Sequence, residues 1–315
     1  MKILVTGGAG FIGSAVAQRL HDDGHSVVVI DNFNEYYDVK LKRARVEYFL
    51  KDIEVIEGDI TDMTFLKTLF DTHIFDSVCH LAAQAGVRYS VEHGEACVQS
   101  NVLGTQLLLE TMRLHGVRQM VFASTSSVYG TSSVAPFRET ESANKPVSVY
   151  GATKKAGELL AYTYADMYKM DITCLRFFTV YGPWSRPDMA MLKFAELMSN
   201  GQAIDVYNNG ELRRDFTYID DIVDGFVKAV EKPQGYEIIN LGNGNPTTLM
   251  EYITFLEKEL GVTSLKNFVP MQEGDVYETY ADITKARELL GYEPRMSLEE
   301  GVKNFAAWYR EFYRK

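Results

Sequence analysis

A chain of 315 residues, 46% hydrophobic and 24% charged, can bury a full core as one large or two unequal domains, which excludes a disordered protein. Its net charge of −11 opposes polyphosphate surfaces, and no Lys/Arg run marks a nucleic-acid or acidic-lipid footprint, so an anionic ligand must be held by local donors. The three cysteines, Cys79, Cys97 and Cys174, are odd in number and far apart, fitting neither a disulfide framework nor a metal cluster; a reducing cytoplasm is the expected location.

The first predicted strand, residues 2–6, runs directly into glycines, with no signal-peptide pattern, and no later stretch reaches the roughly 20 apolar residues that a membrane span needs. Gly7, Gly10 and Gly13 follow that strand at three-residue steps, and Gly8, Gly10 and Gly13 satisfy the G-x-G-x-x-G spacing. Glycine permits a tight turn and close backbone approach, and the helix predicted over 11–20 would turn its free amides toward a pyrophosphate. The second strand, SVVVID from Ser26, ends at Asp31. An acid at that offset accepts bonds from an adenosine ribose and repels a 2′-phosphate, favouring NAD over NADP; the lesser alternative is that Asp31 caps the DNFN turn. After the third strand, IEVIEGD from Ile53, Asp59 is placed either at the adenine edge or as the cap of the next helix.

The fourth strand, DSVCHLA from Asp76, carries His80, whose expected role is packing rather than catalysis. A helix is predicted over 97–114, then the fifth strand MVFAS from Met120, ending in Thr125. Thr125 could bond a reacting hydroxyl or merely cap a loop. In the helix predicted over 148–169, Tyr150 and Lys154 stand four residues apart on one face, and a nearby ammonium would lower the phenol pKa and make it a usable acid/base. The sixth strand is ITCLRFF from Ile172. Strands alternating with helices imply βαβ crossovers, so the expected fold is α/β, a Rossmann-like doubly wound parallel sheet. The alternation loosens after Val180, with helices expected near 249–260 and 298–313. The expected division is an NAD-binding domain over 1–179, with a returning segment near 215–245, and a smaller, mainly substrate-binding region over 180–315. All six histidines lie in the first half and no metal motif occurs, leaving a redox cofactor with Tyr150, Lys154 and Thr125 as the coherent catalytic set.

TGGAGFIG, Asp31, HLAAQAGVRYS, ASTSSVYG and YGATK together resemble the extended short-chain dehydrogenase/reductases of the NAD-dependent epimerase/dehydratase family, over essentially the whole chain. Within it, DNFNEYYDVKLKRAR, AQAGVRYS, WSRPDM and IDVYNNGELRRDFTYIDD are most similar to UDP-glucuronate 4-epimerases. The resemblance implies a catalytic triad of Thr125, Tyr150 and Lys154. It implies an NAD site built from Gly7, Gly10, Phe11, Ile12, Gly13, Asp31, Asn32, Asp59, Ile60, Leu81, Ala82, Ala83, Gln84, Asn101 and Phe177, with Tyr150 and Lys154. The implied reaction is oxidation at C4 of a UDP-sugar, rotation of the 4-keto intermediate and reduction on its opposite face. For a uronate the intermediate is a β-keto acid, so its carboxylate needs anchors; the candidates are Thr179, Ser126, Ser127 and Arg186, with Arg88 close by. Arg186 could instead face the diphosphate or solvent. Met189 is a further substrate candidate, Arg214 the expected diphosphate partner, Val206 and Tyr207 the uracil neighbours, and Asp275 a candidate for the uridine ribose. A decarboxylase of UDP-glucuronate, a 4-epimerase of neutral UDP-hexoses and a non-catalytic NAD-binding regulator stay open at this level. The resemblance also implies a homodimer joined by the 97–114 and 148–169 helices, with neither nucleic acid nor membrane as partner.

Overall fold

β-Branched runs too apolar to leave either face in water require a sheet covered on both sides. In the computed structural model, which describes residues 1–131, 133–271 and 277–313, they form one. Its seven parallel strands are β1 (Lys2–Thr6), β2 (Ser26–Asp31), β3 (Glu54–Glu57), β4 (Ser77–His80), β5 (Gln119–Thr125), β6 (Asp171–Phe177) and β7 (Tyr236–Leu241). Their spatial order is β7-β6-β5-β4-β1-β2-β3. The chain leaves β1 toward β2 and β3, then returns to pair β4 with the other side of β1. That reversal opens a crevice at the carboxyl ends of β1 and β4, where doubly wound sheets bind ligands.

Alternation within the strands divides the core. Ile3 and Val5 join Phe11, Val16 and Leu20 on one face, while Leu4 joins Leu66, Leu108 and Met112 on the other. The α/β expectation and the six strand runs match the observed sheet. The seventh strand is not among those runs: Tyr236, Glu237 and Ile238 are only partly buried, so its pattern is weak. Beyond the sheet, Thr179–Tyr181 pairs with Phe216–Tyr218, and Ile204–Tyr207 with Lys266–Val269.

Local signals set several helix ends. Thr248 and Glu251 form a reciprocal capping box at the start of Leu249–Leu260, and Ser148 caps Val149–Tyr168 by accepting from the Gly151 amide. The 97–114 prediction resolves into Gly94–Cys97, a π-helical stretch Val98–Gly104 and Thr105–Leu114. The wider π turn carries Asn101, whose Oδ1 accepts from the Gln84 amide at 2.7 Å while Nδ2 donates to the Gln84 carbonyl at 3.0 Å. Among the described residues, no helix is long and apolar enough to cross a membrane.

A buried ion pair joins helix Val149–Tyr168 to the sheet. Glu158, fully buried, accepts from Arg176 Nε and Nη2 at 2.8 Å each and from the Ser124 hydroxyl at 2.7 Å. These bonds hold its carboxyl below the ordinary glutamate value despite burial. Removing one partner of such a pair leaves an uncompensated charge. Glu158→Gln should therefore lose about 3–5 kcal/mol of unfolding free energy, read from the urea midpoint; an unchanged midpoint would show that Arg176 finds another partner.

Candidate active site

The crevice begins where β1 runs into Gly7, at φ +70°, a conformation that L side chains rarely adopt. A Cβ there would lie 2.6 Å from the Ala82 amide nitrogen, and one on Gly13 would overlap the Gly7 carbonyl oxygen. The loop therefore packs too closely for side chains, leaving backbone as its surface. Helix Phe11–Asp22 starts at Gly10 with no side-chain cap, so its first amides face the crevice as an anion cradle. Gly7, Gly10, Phe11, Ile12 and Gly13 all line it, as do Asp31, Asn32, Ile60 and the run Leu81, Ala82, Ala83 and Gln84.

Two acids at this end do local work as well. Asp31 Oδ2 accepts from the Ala9 amide at 3.1 Å and Oδ1 from the Phe33 amide at 2.9 Å, so the carboxylate both caps its turn and faces the cleft. Asp59 lies outside the wall, accepting from the Asn32 side chain at 2.8 Å and from the Thr61 amide at 2.8 Å, a cap that also orients Asn32. Asn101 is buried behind the wall and acts through Gln84. His80 is fully buried between the Thr6 hydroxyl at 2.8 Å and the Thr105 hydroxyl at 3.0 Å. Burial pushes its pKa down to about 3, so it stays neutral, a packed strand residue.

Thr125 at the end of β5, Tyr150 and Lys154 on the capped helix, and Phe177 at the end of β6 converge on the same cleft. The Thr125 hydroxyl accepts from the Ser127 amide at 3.2 Å, the capping reading, and also hydrogen-bonds the Tyr150 phenol. Lys154 Nζ donates to the Ala123 carbonyl at 2.8 Å and sits 4.7 Å from the Phe122 ring centroid. Burial lowers its pKa to about 7. The expected lowering of the Tyr150 phenol is overturned: its pKa is raised, first by burial, and the Arg186 guanidinium and the Thr125 hydroxyl only partly oppose that rise.

The substrate candidates fall into groups. Arg186 and Met189 line the cleft beside Tyr150. Ser126, Ser127 and Thr179 are half-buried and do not form the wall, although Ser126 and Thr179 adjoin lining residues in sequence. Arg88 lies over the Tyr207 ring, 5.5 Å from its centroid, bringing those two together. Val206 is completely buried and does not form the cleft wall. Arg214 Nη1 donates to the Arg213 carbonyl at 2.9 Å, and Asp275 lies outside the described residues. Among the described residues, no three His, Cys, Asp or Glu side chains are grouped to hold a metal ion.

Other polar residues of the site escape sequence reading. Tyr36, which no spacing or motif singles out, lines the cleft with Lys42. Arg45 is fully buried, donating to the Trp184 carbonyl from Nε at 3.1 Å and from Nη2 at 2.8 Å. Its Nη1 donates to the Ala9 carbonyl at 3.2 Å and the Tyr37 hydroxyl at 2.7 Å, tying the glycine loop to the loop that carries Arg186. All lie in two stretches, DNFNEYYDVKLKRAR and WSRPDM, that spacing alone cannot bring together.

Comparison with known proteins agrees with this geometry. The pattern of the NAD dependent epimerase/dehydratase family matches residues 3–242. UDP-glucuronate 4-epimerase 1 of Arabidopsis thaliana is 46% identical over 332 residues, covering 99% of this chain and 77% of its own length. A probable UDP-glucuronate 4-epimerase of Rhizobium meliloti is 40% identical over 336 residues, covering 100% of this chain and 98% of its own. The crystal structure of UDP-glucuronic acid 4-epimerase from Bacillus cereus, in complex with UDP-glucuronic acid and NAD, superposes with a TM-score of 0.92 at 37% identity, over 99% of this chain and 100% of that one.

The depressed Lys154 pKa has a measurable consequence. Its folded value of about 7 lies below the ordinary 10.5, so between those limits the unfolded chain binds the extra proton. Lys154 therefore makes stability rise with pH across that window and contributes no slope below it, where both states are protonated. Lys154→Met should flatten that rise in cofactor-free protein, measured as urea midpoints from pH 7 to 10; an unaltered slope would show that Lys154 is charged throughout.

Proposed function

The chain belongs to the NAD dependent epimerase/dehydratase family, and from that premise we infer that it is an NAD-dependent UDP-glucuronate 4-epimerase, interconverting UDP-glucuronate and UDP-galacturonate. The observation that carries the reading is the convergence of Thr125, Tyr150 and Lys154 with the glycine loop and Asp31 on one cleft, with Arg186 at its wall. The side-chain-free cradle at Gly7 and Gly13 suits a pyrophosphate, and Asp31 suits an unphosphorylated adenosine ribose.

NAD, when bound, would supply the acceptor and then the donor of the hydride exchanged with the sugar C4. Tyr150 takes the proton of the 4-hydroxyl as that carbon is oxidised and returns it when the ketone is reduced. Thr125 orients the hydroxyl, and Lys154 holds the ribose side of the cofactor site. Rotation of the 4-keto sugar between the two half-reactions inverts C4, so no net oxidant is consumed. Arg186, with Ser126, Ser127 and Thr179 nearby, grips the uronate carboxylate and keeps the β-keto acid from losing carbon dioxide. Met189 adds an apolar wall at the sugar. Arg214 meets the diphosphate, while the segment of Val206 and Tyr207, with Arg88, lies toward the uracil. In this reading 1–179 and the segment near 215–245 serve NAD, and the rest of 180–315 serves mainly the UDP-sugar.

The same reading makes the protein a cytosolic homodimer. Its three buried free cysteines fit a reducing compartment. Leu103, 40% exposed, Leu159, 58% exposed, and Tyr162, 53% exposed, lie on the helical segments expected to pair. Light scattering should give twice the chain mass, and the double variant Leu103→Glu/Leu159→Glu should give the monomer; a monomeric unaltered protein would remove the dimer reading.

Incubation with UDP-glucuronate, without reductant, should yield UDP-galacturonate at constant total nucleotide. A UDP-pentose with carbon dioxide would move the assignment to a decarboxylase, and turnover of UDP-glucose alone to a neutral hexose epimerase. Tyr150→Phe should keep NAD and lose roughly 10²–10⁴-fold in kcat; near-normal turnover would remove Tyr150 from the proton transfer.

A further inference from the structure

Arg186 carries five N–H donors on one plane, and two of them are already committed. Its Nε donates to Asp188 Oδ1 at 2.9 Å and its Nη2 to Asp188 Oδ2 at 2.7 Å. This two-point, side-on clamp fixes the plane of the guanidinium and leaves its Nη1/Nη2 edge for another acceptor. Asp188 is itself held, because the Tyr36 hydroxyl donates to Oδ2 at 3.0 Å. The Tyr36 ring meets Tyr89 edge-on at 4.6 Å between centroids, and a side chain on Gly86, at φ +113°, would overlap its phenol oxygen. Arg186 and Tyr36 line the cleft, while Asp188 is not part of its wall.

We propose that Asp188 and Tyr36 are positioning residues for sugar recognition, presenting the free edge of Arg186 to the substrate carboxylate and cancelling its charge. This rests on the reading that Arg186 grips the uronate. A neutral Arg–Asp pair offers little long-range attraction to anions, so it selects a carboxylate by fork geometry at contact distance. The same fixed plane holds the carboxylate against rotation into the orientation that favours loss of carbon dioxide. Charge and aim are thus set by two side chains that need not touch the sugar ring.

The test compares Asp188→Asn, Tyr36→Phe and Arg186→Ala as NAD-loaded proteins, reading kcat and KM for UDP-glucuronate and the ratio of UDP-galacturonate to UDP-pentose. Asparagine keeps one acceptor oxygen but turns N–H groups toward the guanidinium, breaking the clamp at nearly constant size. Asp188→Asn should raise KM roughly tenfold, as expected for one charge-assisted bond, with a smaller change in kcat and more pentose. Tyr36→Phe, which removes only a hydroxyl and keeps the proposal testable if Asp188→Asn fails to fold, should shift both readouts severalfold in the same direction. If Arg186→Ala is impaired in both readouts while Asp188→Asn and Tyr36→Phe match the parent, or lower KM, the positioning role is overturned and the carboxylate reading survives. If Arg186→Ala itself leaves both unchanged, the carboxylate reading falls and this inference falls with it.

Discussion

The cleft depends on where one buried carboxylate is held. Tyr150, Lys154 and Glu158 recur at four-residue spacing, so they share one face of helix Val149–Tyr168. The first two line the cleft, and the third is anchored below it to Ser124 on β5 and Arg176 on β6. Because Ser124 directly precedes Thr125, and Arg176 directly precedes Phe177, the Glu158 bonds fix the phenol and ammonium relative to both strand ends. A buried ion pair adds little net stability over an apolar packing of the same volume. Its contribution here is register: sliding the helix along the sheet would strand a buried charge.

An acidic chain holds an anionic ligand by local donors, and the cleft does so with charges largely balanced in place. Lys42 lies 3.8 Å from Asp31, and Arg186 is paired with Asp188. Burial depresses Lys42 and Lys154, so neither carries the full pull of a solvated ammonium. Such a cleft offers an anion the directed backbone amides that follow Gly10 and fixed guanidinium forks, which reward shape as much as charge. Arg45 follows a different logic. Its named acceptors are the carbonyls of Ala9 and Trp184 and the Tyr37 hydroxyl, so its full charge is spent on joining loops. Trp184, in turn, packs on Trp308 at 5.5 Å and on Phe312 at 4.9 Å, tying the carboxyl-terminal helix Leu298–Tyr313 to the site.

Several features are local and therefore readable in one dimension. A glycine triplet after a β-branched run, an acid ending the second strand, and Tyr150 with Lys154 one turn apart each follow from short-range geometry, and each lies at the cleft. Helix limits near 249–260 and 298–313 were equally legible, because capping residues and apolar periodicity act within a few residues. The π turn at Asn101 was not, since its extra residue leaves the helical pattern of 97–114 almost unchanged.

By itself, then, the sequence determined the parallel sheet, the glycine turn at the end of its first strand and the placing of Tyr150 and Lys154 on one helix face, because those depend on neighbours one strand or one helical turn away. Only the tertiary structure decided what tunes them. Burial raises the Tyr150 phenol against the pull of Arg186, Tyr36 reaches Asp188 across 152 positions, and Arg45 binds Trp184 across 139. The physical reason is that pKa and aim are set by burial and by partners converging from distant segments. Chain folding brings these together without leaving a periodicity or spacing that could announce them.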